Sequence, residues 1–184
     1  MVGNWELNYS SEPFHALRMQ TPELFFKKPM KVLIYKETDI PNFAIVGSID
    51  ENADFSVFEA NHNDIHVDCS QIYRINSTGV RKWMKLFETV KKKGVKVFYY
   101  QVSTALIEQF NSIRNFGMGG HVMSAVLPFI CKKCMRMRLI VKTKAEVDQI
   151  DLSTFQIPCE HCGQNTLQFD DDAREYLHFW QINK

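Results

Sequence analysis

Long apolar runs are missing from this chain. Nowhere in its 184 residues does an apolar stretch approach the roughly 20 residues that a membrane-spanning helix needs. The first residues, Met1-Val2-Gly3-Asn4-Trp5-Glu6, lack the basic segment and apolar stretch of a secretory leader. A cytoplasmic location without a membrane partner is therefore expected. An excess of one charge is missing as well. The 22 Lys and Arg against 21 Asp and Glu leave a net charge of +1, which offers no global attraction for nucleic acid or anionic lipid. Catalytic patterns are absent too. His62, His66, His121, His161 and His178 stand at no spacing to an acid and a nucleophile that forms a known triad order. The run Gly117-Met118-Gly119-Gly120 lacks the lysine and the strand–helix setting of a phosphate-binding loop, and reads as a hinge. The chain is not expected to be an enzyme.

What is present is the material of a core: 45% of residues are hydrophobic, and 14 are Phe. Residues 1–30, with Pro13, Pro22 and Pro29 among scattered aromatics, read as an arm packed onto the body. Regular patterning starts after it. Lys31–Thr38 and Phe43–Asp50 read as strands joined by a Pro41-Asn42 turn, a hairpin. Asn52–Asn61 has Phe55 and Phe58 at helical spacing but is short. Asp64–Ser70 alternates, with Ile65, Val67 and Cys69 on one face of a third strand. Cys69 there reads as a core thiol.

Val80, Trp83, Met84, Phe87 and Val90 then recur every three or four residues, an amphipathic helix that stops at Gly94. Val95–Val102 is a fourth strand, apolar enough for burial on both faces, and Ser103–Ile113 is a second helix with Ser103 or Thr104 at its start. This order predicts a mixed α/β sheet with helices packed against it. The Gly-rich stretch Asn115–Val122 marks a boundary between a first domain over 31–120 and a second over 121–184. The chain ends on a capped helix, Asp171–Trp180.

Several stretches of the first domain, taken in order, resemble a known family. Gly47–Asp50 follows an early strand, and Asp68-Cys69-Ser70 ends a later one. Asn76-Ser77-Thr78-Gly79 opens a helix, and Lys93-Gly94 closes it. Together they resemble the STAS domain of bacterial anti-sigma-factor antagonists over roughly residues 31–120. The resemblance implies a STAS-like mixed sheet and a non-enzymatic regulatory module that acts through protein–protein interaction in signalling. It also implies that the serine at the helix start, here Ser77, is phosphorylated by a partner serine kinase and switches binding to an anti-sigma-like regulator. A phosphate there would meet unpaired helix N–H groups and the positive end of the helix dipole. The bland alternative for Ser77 is a plain helix cap. Asn76 stands where the family has an acid; it keeps the capping ability and loses the charge. Arg74 and Arg81 bracket the loop with positive charge, and with Asn76 and Thr78 they are the partner-binding candidates.

The second domain carries the strongest pattern in the sequence. Cys131-x-x-Cys134 and Cys159-x-x-Cys162 lie 24 residues apart, two knuckles that present four thiolates to one ion. That donor set suits Zn²⁺, with iron the less suited occupant, and leaves no open coordination position, so the site is structural. Two separate redox pairs are the alternative, and His161, inside the second knuckle, rivals Cys162 as a ligand. The pattern resembles a zinc ribbon, with Met137–Thr143 and Thr166–Asp170 as its strands. Lys132, Lys133, Arg136, Arg138, Lys142 and Lys144 line the first of these without an intervening acid. They support an alternative function: a nucleic-acid-associated ribbon for which the STAS-like domain is a scaffold or dimerisation unit. Glu146, Asp148, Asp151, Glu160 and Asp170 to Asp172 lie close enough in sequence to offset them.

Overall fold

The computed structural model describes residues 30–35, 40–60 and 62–182. The arm expected over residues 1–30, apart from Met30, lies outside the described residues, as do Asn61 and residues 36–38 of the first expected strand. The first sheet has five strands in the order β1-β2-β3-β4-β5: β1 Lys31–Ile34, β2 Phe43–Ile49, β3 Asp64–Ile75, β4 Lys96–Tyr100 and β5 His121–Val122. β1 and β2 pair antiparallel, as a hairpin must, and every later neighbour is parallel. Each parallel step needs a crossover. A 3-10 turn at Ser56–Glu59, α1 over Ser77–Lys92 and α2 over Thr104–Ser112 supply the three.

Period explains these elements. In β3, Ile65, Val67 and Cys69 are fully buried, and α1 buries Trp83, Leu86, Phe87 and Val90 against the same core. Trp83 is the hub: its ring stacks on Phe116 at 5.5 Å and meets Phe87 edge-on at 4.6 Å. α1 ends where Gly94 takes φ 77°, a left-handed turn that glycine adopts without a Cβ clash. β3 runs past the expected end at Ser70, because β2 continues to pair with it as far as Ile49↔Ile75.

The second sheet has four antiparallel strands in the order β7-β6-β9-β8: β6 Ser124–Cys131, β7 Met137–Thr143, β8 Gln156–Ile157 and β9 Leu167–Phe169. β7 and β9 fall where strands are expected. β6, a central strand, is not anticipated, because Pro128 sits in its middle. The Pro128 carbonyl accepts the Asp170 amide at 3.0 Å, so its backbone faces the β9 side. The β6–β9 ladder stops at Phe129, so the proline's missing N–H falls at the end of the ladder and costs only the bond reciprocal to that of the Asp170 amide.

The final segment forms two short helical pieces instead of one helix: α4 Ala173–Tyr176 and α5 Phe179–Ile182, with a one-turn α3 earlier at Lys144–Val147. Asn111 of α2 causes the break. Its Nδ2 donates to the Glu175 carbonyl at 3.0 Å, and its Oδ1 accepts the Phe179 amide at 2.8 Å. Those two backbone groups would bond each other in a continuous helix, and the amide side chain sits between them.

The two sheets share one core cluster, which runs from Phe43 to Trp180. Val102 bridges Ala125, the Tyr176 hydroxyl donates to the Val126 carbonyl at 2.7 Å, and the Trp180 indole donates to the Val122 carbonyl at 3.1 Å. The Gly-rich stretch expected as a hinge is packed against β4 and α2 of the first sheet's layer. A Cβ at Gly120 would fall 2.6 Å from the Tyr99 ring, and the Tyr99 hydroxyl donates to the Gly117 carbonyl at 3.2 Å.

Candidate metal centre and helix-start site

Both knuckles sit at one end of the second sheet. The first is the β6–β7 connection, which leaves the sheet at Cys131, and the second joins β8 to β9. The register Cys131↔Leu167 and Ile157↔Leu167 sets them side by side, and the Lys132 amide, donating to the Thr166 carbonyl at 3.0 Å, fastens one to the other. The knuckles share one hydrogen-bond pattern. Met135 N–H donates to Cys131 O at 2.8 Å, and Gly163 N–H donates to Cys159 O at 2.7 Å. Cys131 N–H reaches Arg136 O at 3.0 Å, and Cys159 N–H reaches Gln164 O at 2.8 Å.

The four sulfurs converge, all within 4.8 Å of one another, and could hold one metal ion. Cys131 Sγ lies 3.7 Å from Cys162 Sγ, and Cys134 Sγ lies 3.6 Å from Cys159 Sγ. All four are free thiols, and their convergence on one point is the arrangement that a shared ion needs. His161 is exposed and outside the cluster, so Cys162 is the ligand candidate in that knuckle.

Crowding pulls two of these thiols apart in acidity. The Thr166 hydroxyl, 3.1 Å from Cys131 Sγ, and the Cys134 amide hold Cys131 down at about 5. At Cys134 the Arg136 amide favours the thiolate, but burial and the neighbouring cysteines outweigh it and push the thiol up to about 11. Sulfurs this close resist ionising together unless a cation sits among them. Thr166 was not singled out from the sequence; the only signal for it is its place at the start of the strand after the second knuckle. Cys69 is remote from the centre and fully buried, the core thiol that its strand period predicts. Burial, then the nearby Asp68 charge, raises it well above the ordinary range.

The second candidate site is the start of α1. Asn76, not Ser77, is the cap: its Oδ1 accepts the Gly79 amide at 2.8 Å. Ser77 is the first helical residue and is exposed. The Asn76 side chain also donates through Nδ2 to Glu51 Oε2 at 3.0 Å. Glu51 lies on the turn after β2 and brings a carboxylate beside the Asn76 loop. Its own backbone amide, then the Asn76 amide and Lys82, hold it below the ordinary carboxylate range. Lys82 Nζ ties the turn to α1 through the Glu51 and Ala53 carbonyls.

Arg74 and Arg81 are both exposed, and Arg81 Nη2 donates to Thr78 Oγ1 at 2.9 Å. Gly79 makes the close approach possible: a Cβ there would fall 2.2 Å from the Ile49 carbonyl oxygen at the end of β2. The structure thus gathers Arg74, Asn76, Ser77, Thr78 and Arg81 at one end of the first sheet, where β2 and β3 finish, and adds Glu51 and Lys82, which sequence spacing did not reveal. "Ile49-Asp50-Glu51" closing β2 was the available signal. The six cations expected as a stripe do not act alike: Arg138 pairs with Glu160 at 2.8 Å, Lys142 with Glu146 at 3.0 Å and Lys144 with Asp148 at 2.6 Å.

No helix among the described residues is long and apolar enough to cross a membrane. No family model, curated protein or solved structure matches the chain.

Proposed function

We propose that this chain is a regulatory protein-interaction module of STAS type, switched at Ser77 and braced by a structural zinc centre. The observation that carries the switch is the division of labour at α1. Asn76 does the capping, so the exposed Ser77 hydroxyl is not needed for it. A phosphoryl group there would add about −1.5 to −2 charges at a helix start, beside Arg74 and Arg81 and against Glu51. Partners of this reading are a serine kinase and an anti-sigma-like regulator. The test is capture of partners by the full chain, repeated with Ser77→Ala and Ser77→Asp, with mass spectrometry of Ser77 from native cells. Identical capture by all three chains, with Ser77 unmodified, sinks the switch.

Zinc is the proposed metal. A tetrahedron with metal–thiolate bonds of about 2.3 Å has sulfur–sulfur edges of about 3.8 Å. The two short edges, 3.7 and 3.6 Å, fit it. Four thiolates fill the coordination shell, so the ion's role is to hold the two knuckles and the β6–β9 end together. Elemental analysis of purified protein should find one zinc per chain, lost together with secondary structure around Cys131 and Cys159 on chelation. The nucleic-acid alternative draws only on Lys132, Lys133 and Arg136, because the other three basic residues are paired with acids. A steep fall of partner affinity with salt would favour it.

A further inference from the structure

Five large hydrophobic residues are well exposed among those described: Ile40, Met123, Met135, Met137 and Leu139. Three of the five fall within five consecutive positions, in the first knuckle and on β7, so they form a patch and not scatter. The register of β6 with β7 shows its extent. Met137 lies beside Ile130, Leu139 beside Pro128 and Val141 beside Val126, all on one face of the second sheet. The other face is covered: Phe129 packs on Phe155 and Phe169. On the first face Met137 is 62% and Leu139 54% exposed, with Met135 at 65% at the rim. Pro128, Ile130 and Val141 are half-buried beneath them. β7 is also the end strand of its sheet, with β6 on one side only among the described residues.

Charge says what fits there. Lys132, Lys133 and Arg136 are exposed in the adjoining knuckle and form no ion pair among the described residues. An aliphatic floor with a cationic rim lacks its carboxylates. We infer that this face is a docking surface for an extended acidic segment of a partner protein, with apolar residues alternating with Asp or Glu. The segment would add to the β7 edge through backbone hydrogen bonds, seat its apolar side chains beside Met137 and Leu139, and bring its acids to the three cations. Methionine suits such a floor because its unbranched side chain adapts to what lies on it.

Nucleic acid is the poorer occupant, since Met, Leu and Pro offer no aromatic plane on which bases stack. A second copy is the other occupant that the test below distinguishes. This surface extends the protein-interaction reading to the second sheet and does not depend on Ser77.

The test uses the full metal-loaded chain and a short fluorescent peptide of alternating Leu and Glu, with alternating Ser–Glu and Leu–Lys peptides and a short duplex DNA as controls. Saturable binding of the Leu–Glu peptide is expected. Leu139→Glu, and separately the pair Lys132→Glu and Lys133→Glu, should each weaken it by about tenfold or more, while Lys85→Glu on α1 leaves it unchanged. All four positions are exposed, and unaltered metal content and circular dichroism show that the variants fold. Absence of saturable binding, equal affinity in the Leu139→Glu chain, or tighter binding of the duplex would each overturn the proposal. So would a concentration-dependent dimer that Leu139→Glu dissociates, which would give the face to a second copy. A failure at Ser77 in the partner-capture experiment leaves this surface standing, and a failure here leaves the switch standing.

Discussion

Asn76 accepts the Gly79 amide through its side chain at 2.8 Å, and so takes over the capping of α1 from the serine next to it. Truncating the two residues should therefore have unequal effects. Asn76→Ala removes the cap and the bond to Glu51, and should cost about 1 kcal/mol. Ser77→Ala, at an exposed site, should stay within about 0.5 kcal/mol of wild type. Urea unfolding of the two variants measures both. A loss at Ser77 as large as that at Asn76 would return the serine to a capping role and remove the argument for a displayed hydroxyl.

Asn111 holds the broken C-terminal helix. Three backbone groups bond to its side chain: the carbonyls of Glu175 and Tyr176, each at 3.0 Å, and the Phe179 amide at 2.8 Å. Asn111→Ala should cost about 2 kcal/mol, the order expected for several lost bonds to backbone groups. Hydrogen exchange gives the local readout. The Phe179 amide should exchange faster in the variant; if it stays protected, α4 and α5 have fused and Phe179 has found Glu175 directly.

How much of this was legible in the sequence follows from how local each feature is. Period alone marks β3 and α1, because Ile65, Val67 and Cys69 alternate while Trp83, Phe87 and Val90 recur at helical spacing. The cysteine centre is legible because a CxxC turn is a local device and its partner differs only in position. β6 is not legible, because whether Pro128 is tolerated depends on where β9 ends, a non-local fact. The split of α4 from α5 is hidden for the same reason: nothing in Glu175–Phe179 signals that Asn111, more than 60 residues earlier, enters their ladder. Glu51 beside Asn76 is the functional counterpart, 25 positions apart in sequence and joined only by the close approach that Gly79 permits.

Glu146 should give a measurable pH signature. Its carboxylate accepts the Thr143 amide at 2.8 Å and also faces Lys142 and the Thr143 hydroxyl, which together hold its pKa down at about 2 from an ordinary 4.5. A carboxylate lowered by folding stabilises the folded state above its unfolded pKa, and that contribution is lost as pH falls through the folded value. Wild type should therefore exceed Glu146→Gln in stability above about pH 4.5 and converge on it towards pH 2. Melting curves across that window check the convergence, and a nuclear magnetic resonance titration of the Glu146 carboxyl checks its cause.

Met135 and Gly163 occupy the same place in the two knuckles, directly after the second cysteine, with φ of 58° and 68°. Only one of them suits that left-handed conformation. A side chain there costs roughly 1–2 kcal/mol in backbone strain, partly offset by the roughly 0.5–1 kcal/mol of unfolded-chain entropy that glycine forfeits. Gly163→Ala meets no neighbour within 4 Å, so strain is its whole effect, and it should destabilise by about 1 kcal/mol. Met135→Gly should do the opposite and stabilise by about 0.5–1 kcal/mol, because a side chain 65% exposed leaves little packing to lose. Both variants keep all four cysteines, so each should take up metal as the wild type does while the thermal midpoints move in opposite directions. Movement in the same direction would mean that the two knuckles differ in more than the residue at this position, and that Met135 contributes contacts beyond its own turn.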